Sequence, residues 1–127
     1  MLDGIFVLPY ADDMKQTETF QMLSDETRLR ALALMSRQGE VCVCELMHAL
    51  ELSQPKISRH MAALREAGLV TATRRAQWVF YDINPELPDW QKQVLSGALA
   101  GTTKEVIVSQ DETRLLKMND RPQRCAA

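Results

Sequence analysis

At 127 residues the chain is long enough for one domain with a sizeable core and too short for two. Hydrophobic residues make up 46 % and charged residues 25 %, a balance that fits a globular protein and excludes a collagen-like or wholly disordered chain. The net charge of -2 excludes an indiscriminate polycation but conceals a gradient: Met1 to Thr27 carries -5, whereas Ser53 to Arg75 carries +4.

The first stretch, Leu2 to Tyr10, is apolar and contains Pro9. It is too short to span a bilayer and no cationic run precedes it, so neither a signal peptide nor a membrane span is expected. Residues 1–11 are read as an N-terminal arm, residues 12–100 as one folded domain, and residues 101–127 as a tail, flexible in part.

A helix is expected from about Asp12 or Asp13, carrying Met14, Phe20, Met22 and Leu23. Ser24-Asp25-Glu26 reads as an N-cap followed by two acids suited to exposed first-turn amides. The helix they open, to about Arg37, is apolar on most sides and ends at Gly39. Val41-Cys42-Val43-Cys44 then begins a short helix whose first turn contains both cysteines.

After a break near Leu52-Ser53 comes the stretch around which the chain is organised. Ser53 is an N-cap candidate, Pro55 falls where a missing N–H costs nothing, and Gly68 is a stop. Ile57, Met61 and Leu64 recur at helical spacing and face a core. Gln54, Lys56, Ser58, Arg59 and His60 crowd the other face near the N-terminus, where a recognition helix needs its donors. An ordinary amphipathic helix with a solvated face would show the same periodicity. Two short helices joined tightly, the second polar at its start, match helix-turn-helix geometry.

Leu69 to Arg74 and Trp78 to Asp82 read as a hairpin around the basic Arg75-Ala76-Gln77 turn, whose type is not evident without glycine. Such a hairpin resembles a wing. The predicted fold class is therefore mainly α with a β-hairpin wing, a winged helix-turn-helix. Gln54, Ser58, Lys56 and Arg59 are expected to approach base edges, while Arg65, Arg74, Arg75 and Gln77 meet phosphates or the minor groove.

Pro85 and Pro88 bracket the next helix start, and Leu87, Trp90, Val94, Leu95, Ala98 and Leu99 form an apolar stripe. Trp90, Val94, Leu95 and Ala98 are expected at a dimer interface, the alternative being a cover for the chain's own core. Beyond Gly101 the pattern decays; Val106-Ile107-Val108 suggests a strand and the remainder is polar.

There are three cysteines, Cys42, Cys44 and Cys125, and two histidines, His48 and His60. The odd cysteine count, with Cys42 and Cys44 poorly placed to bridge each other, indicates a reducing cytoplasm. No activated hydroxyl, paired carboxylates or phosphate loop supports an enzyme.

From about Leu23 to Leu99 the chain resembles the ArsR/SmtB family of winged-helix repressors, and within it the arsenic-responsive members. Glu40-Val41-Cys42-Val43-Cys44-Glu45-Leu46 and Ser53-Gln54-Pro55-Lys56-Ile57-Ser58-Arg59-His60-Met61 carry the likeness, with Trp78-Val79-Phe80-Tyr81 a weaker match. The resemblance implies a cytoplasmic homodimer on palindromic double-stranded operator DNA, with no membrane partner and no organic cofactor. It also implies As(III) or Sb(III) as inducer, bound by Cys42 and Cys44, whereupon the repressor leaves the DNA. The family's third cysteine position is occupied by Met47, a neutral thioether better suited to packing, so Cys125, an external thiol or water is left to complete the site. Residues i and i+2 do not face each other on a regular helix, so joint binding by the two cysteines implies a distorted first turn. His60 matches a family position in the recognition helix and is expected to be DNA-facing or structural. Three other readings stand beside this one: the same cysteines sensing cadmium or lead, the same cysteines sensing organic arsenicals or oxidation, and a winged-helix protein-interaction module without a ligand.

Overall fold

In the computed structural model, residues 14–121 are described; the N-terminal arm and Cys125 lie outside them. Six helices and a three-stranded sheet follow in the order α1 (Lys15–Leu23), α2 (Glu26–Gln38), β1 (Val41–Cys42), α3 (Val43–Leu50), α4 (Gln54–Glu66), β2 (Val70–Arg75), β3 (Trp78–Ile83), α5 (Asp89–Ala100) and α6 (Val106–Leu116). This is a winged helix: α3 and α4 form the helix-turn-helix, and the β2–β3 hairpin is the wing.

Helix α2 runs through the middle, burying Ala31 to Met35 without interruption. Its N-cap is Asp25 rather than the expected Ser24. The Asp25 carboxylate accepts from the Arg28 N–H at 3.1 Å, while Ser24 donates its hydroxyl backwards to the Gln21 carbonyl. Gly39, at φ +76°, ends α2 in a conformation that favours glycine.

Helix α4 stops as its sequence indicates. Gly68 has φ +82°, its N–H reaches the Arg65 carbonyl, and the Leu69 N–H reaches the Leu64 carbonyl. This is a Schellman closure, with Leu64 and Leu69 both fully buried beneath it. The chain turns directly into β2.

The sheet order is β1-β3-β2, antiparallel throughout. Arg75 pairs with Trp78, leaving a two-residue turn, Ala76-Gln77. Of these two only Ala76 has positive φ (55°), the pattern of a type II′ turn and one glycine usually fills.

The tail departs from expectation. Val106-Ile107-Val108 is the start of α6, not a strand, because tertiary contacts outweigh β-branched propensity there. Val108 and Leu115 are buried, and α6 lies across α3. Arg30 Nε and Nη2 meet the two Asp111 carboxylate oxygens at 2.9 and 2.8 Å in a buried bidentate pair. Arg30 also donates to the Leu50 carbonyl, and Arg114 to that of Ala49, so two guanidiniums satisfy the C-terminal end of α3. Among the described residues, no helix is long and apolar enough to cross a membrane.

Candidate nucleic-acid interface and thiol pair

The N-terminal half of α4 projects from the domain. Ser53 holds the N-cap position with extended backbone but makes no side-chain cap hydrogen bond, and no acid occupies the first turn. The amides at this helix start are therefore left for an anion or for water. Gln54 and Arg59 are exposed, Lys56 and Ser58 half-buried, and Gln54 Nε2 donates to Ser58 Oγ at 3.2 Å. Ile57, Met61 and Leu64 fill the core side as the periodicity predicts. Arg65, Arg74 and Gln77 are exposed.

Two members of the expected DNA-facing set are engaged elsewhere. His60 is buried and turned toward the start of α2, so it does not lie on the projecting face: Arg28 Nη1 donates to its Nδ1 at 3.1 Å and Asp25 Oδ1 lies 3.8 Å from its Nε2. Arginine has no acceptor, so Nδ1 is unprotonated and the ring proton sits on Nε2. Burial pushes the imidazole below its ordinary range; Asp25 opposes this, while the charges of Arg28, Arg59 and Lys56 add to it. Arg75 grips Glu40 with two hydrogen bonds and stacks 3.9 Å from the Phe80 ring centroid.

The thiols differ from the expected geometry in an informative way. Cys42 is not in the helix; it is the last residue of β1, paired with Phe80, and the N-cap of α3. Its extended backbone turns its side chain toward Cys44, bringing the two Sγ atoms to 3.0 Å. No distortion of a helical turn is needed to bring them together. Cys42-Val43-Cys44-Glu45 forms a capping box in which sulfur replaces the usual hydroxyl. The Cys42 side chain accepts from the Glu45 N–H, and Glu45 Oε1 accepts from the Cys42 N–H at 2.9 Å.

Burial pushes the Cys42 thiol up to about 12; the Cys44 thiol and the Glu45 carboxylate add to this, and the Glu45 N–H opposes it. Cys42 and Cys44 line a cleft of about 310 Å³ together with Met47, Gln54, Trp78 and Val79. The first turn of α3, the first residue of α4 and the wing meet in that one space. Met47 is half-buried and packs against the core. Among the described residues, no cluster of three or more His, Cys, Asp and Glu side chains could hold a metal ion.

Glu45 is fully buried and its second oxygen accepts from Arg121 Nε at 2.5 Å. No local signal marks this pair, which joins Arg121 to the first turn of α3. His48 is exposed on α3.

Of the residues expected at a dimer surface, Leu95 is 4 % exposed and belongs to the chain's own core. Trp90, Val94 and Ala98 are partly exposed. Helix α1 adds an apolar surface that periodicity had assigned no role: Met14 is 62 % and Phe20 57 % exposed. Gln91 of α5 donates to Thr19 Oγ1 of α1 at 2.9 Å, with both side chains buried, which holds the two helices together.

The profile of the bacterial regulatory protein arsR family matches residues 25–72. The chain is 51 % identical over 104 residues to an arsenic resistance transcriptional regulator of Pseudomonas putida, covering 82 % of this chain and 80 % of that one. It is 47 % identical over 81 residues to the arsenical resistance operon repressor of Escherichia coli, covering 64 % and 69 %. Among solved structures, reduced HlyU from Vibrio cholerae superposes with a TM-score of 0.62 at 31 % identity, covering 71 % of this chain and 90 % of that one. The AntR antimony-specific transcriptional repressor shares the fold at a TM-score of 0.58 and 22 % identity, covering 76 % and 93 %.

Proposed function

The chain belongs to the ArsR family of bacterial regulatory proteins, and we propose that it is a transcriptional repressor that leaves its operator when trivalent arsenic or antimony binds Cys42 and Cys44. The observation that carries this reading is the 3.0 Å approach of the two sulfurs inside a cleft walled by Gln54 of α4 and Trp78 of the wing. Two thiols are a soft donor pair suited to a thiophilic ion. An ion held there lies between the two elements that meet DNA, so any repacking it imposes is passed to both. About 3 kcal/mol of preference for the off-DNA form weakens operator affinity more than a hundredfold.

The donor set fits such an inducer with a third ligand from elsewhere. Cys125 follows Arg121 by four residues, a reach of at most about 14 Å. Since Arg121 is paired with Glu45, itself hydrogen-bonded to the Cys42 amide, that reach supports Cys125 as the third ligand. Met47 is assigned to packing.

On DNA, Gln54, Lys56, Ser58 and Arg59 are assigned to the major groove, and Arg65, Arg74 and Gln77 to the backbone and minor groove. The repressor acts in the cytoplasm as a homodimer. Its interface is built from α1 through Met14 and Phe20 and from α5 through Trp90, Val94 and Ala98, so that two copies of α4 reach half-sites about 34 Å apart.

The test is anisotropy of a fluorescent operator duplex titrated with arsenite, antimonite and cadmium under reducing conditions. Release by arsenite that is lost in Cys42→Ser and in Cys44→Ser supports the reading, and its loss in Cys125→Ser identifies the third ligand. Release by cadmium alone assigns the pair to a soft divalent ion. Tight DNA binding that no ion disturbs overturns the metalloid reading.

A further inference from the structure

Helix α1 is linked to α4 by side chains at each of its ends, directly through Lys15 and through Arg28 of α2. At one end Lys15 Nζ donates to the Ala67 carbonyl, at the C-cap of α4, at 2.9 Å. A cation at that helix end also meets the negative end of the α4 dipole. At the other end Arg28, in the first turn of α2, joins all three of its guanidinium nitrogens to neighbours. Nε donates to the Met22 carbonyl at 2.8 Å, Nη2 to the Gln21 carbonyl at 2.9 Å, and Nη1 to His60 Nδ1 at 3.1 Å. The first two acceptors are in the last turn of α1, and the third is in the middle of α4.

We infer that Arg28 and His60 are positioning residues for DNA recognition, bracing α4 against α1 so that the two recognition helices of a dimer are held at the half-site separation. This rests on the reading of α4 as the DNA-facing helix and α1 as a subunit contact. Beside these links and the approach of Asp25 to His60, α4 packs through Ile57, Met61 and Leu64 into the core shared with α2, α3 and β2, and apolar packing resists separation more than sliding or rotation. The guanidinium fixes direction as well as distance: it is planar and permanently charged, and its three acceptors are divided between α1 and α4. His60 serves as a largely buried acceptor for Arg28, which accounts for an imidazole on the inner side of a recognition helix.

The brace has a signature that general loss of stability lacks. A single half-site needs one α4, whereas a palindrome needs two at a set separation. Loosening the brace therefore lowers the effective concentration of the second helix at its half-site and leaves the first contact alone.

The test uses the full-length chain and a palindromic duplex selected by the wild type from randomised DNA. It compares the native half-site spacing with spacings altered by one or two base pairs and with an isolated half-site. Arg28→Gln and His60→Leu are expected to weaken binding at native spacing by about tenfold, to flatten the spacing dependence, and to leave half-site affinity within about twofold. His60→Gln keeps an acceptor for Arg28 and is expected to behave as wild type. A variant that loses palindrome and half-site affinity in proportion, with a lowered melting temperature, reduces the brace to a packing role and overturns the inference. So does full spacing discrimination in both Arg28→Gln and His60→Leu. If the wild type itself does not prefer the palindrome to the half-site, it is the dimer reading that falls.

Discussion

Glu40 holds Arg75 through two hydrogen bonds, Oε1 to Nη2 at 2.6 Å and Oε2 to Nη1 at 3.0 Å, and so ties the root of β1 to the tip of the wing. A carboxylate gripping a guanidinium in this manner occupies the donors a phosphate would take. Glu40→Gln removes the competing charge. The expected result is a two- to threefold gain in affinity for duplex DNA and a salt dependence steeper by about 0.9 in log–log slope. Anisotropy titrations across a salt series check it. A loss of affinity would instead mean that the pair sets the wing in its binding position.

Cys42 caps α3 with its sulfur, and serine is a better cap acceptor than cysteine in the same box. Cys42→Ser is therefore expected to keep the fold, with stability unchanged or raised by about 0.5 kcal/mol, while losing arsenite release altogether. Thermal melts together with operator release separate the two effects. A collapse in stability would show that the thiol's packing against the core outweighs its capping.

Asp111 is 1 % exposed and faces both Arg30 and Arg114. Removing it leaves the Arg30 guanidinium buried without its counter-ion, so Asp111→Ala is expected to cost about 3–5 kcal/mol. Urea denaturation of the pure protein measures this directly. A cost below about 1 kcal/mol would mean that water replaces the carboxylate and that α6 is loosely held.

His60 resists protonation in the folded chain because it is buried, so the unfolded chain binds the proton more readily. The stabilising contribution is full above its ordinary value of about 6.5 and is lost as pH falls below it. Between about pH 7.5 and about pH 5.5 the melting temperature should drop more in the wild type than in His60→Gln. The lowered carboxylates titrate below this window. Burial raises Asp25, but the Arg28 N–H and the nearby cationic charges outweigh it, while Gln38 and Arg37 hold Glu112 down. Equal slopes for the two proteins would show that the imidazole does not titrate there.

Much of the architecture was legible because its signals are local. Pro55 and Gly68 mark the start and stop of α4, and Ile57, Met61 and Leu64 mark its inner face. The hairpin follows from the β-prone run on either side of Ala76. What escaped was set by distant partners or by an unusual atom in a familiar role. Val106-Ile107-Val108 favours a strand, and only a pair 81 residues apart in sequence, Arg30 with Asp111, shows why the segment is helical and packed. Cys-x-x-Glu becomes a capping box only when sulfur is admitted as the acceptor, which moves Cys42 out of the helix and removes the apparent obstacle to a shared ligand. His60 reads as one more polar residue on a polar face until Arg28 is placed beside it.

The position of α6 sets a lower limit on the length of a working protein. A chain ended at Gly101 retains the helix-turn-helix, the wing and both neighbouring cysteines, and by sequence looks complete. It would also remove Arg121 from Glu45 and Asp111 from Arg30 and uncover the flank of α3. The segment that carries the DNA-facing residues and the segment that completes their packing thus have different lengths. Isolated fragments of this chain that bind neither DNA nor metalloid would report that missing cover, not a missing site.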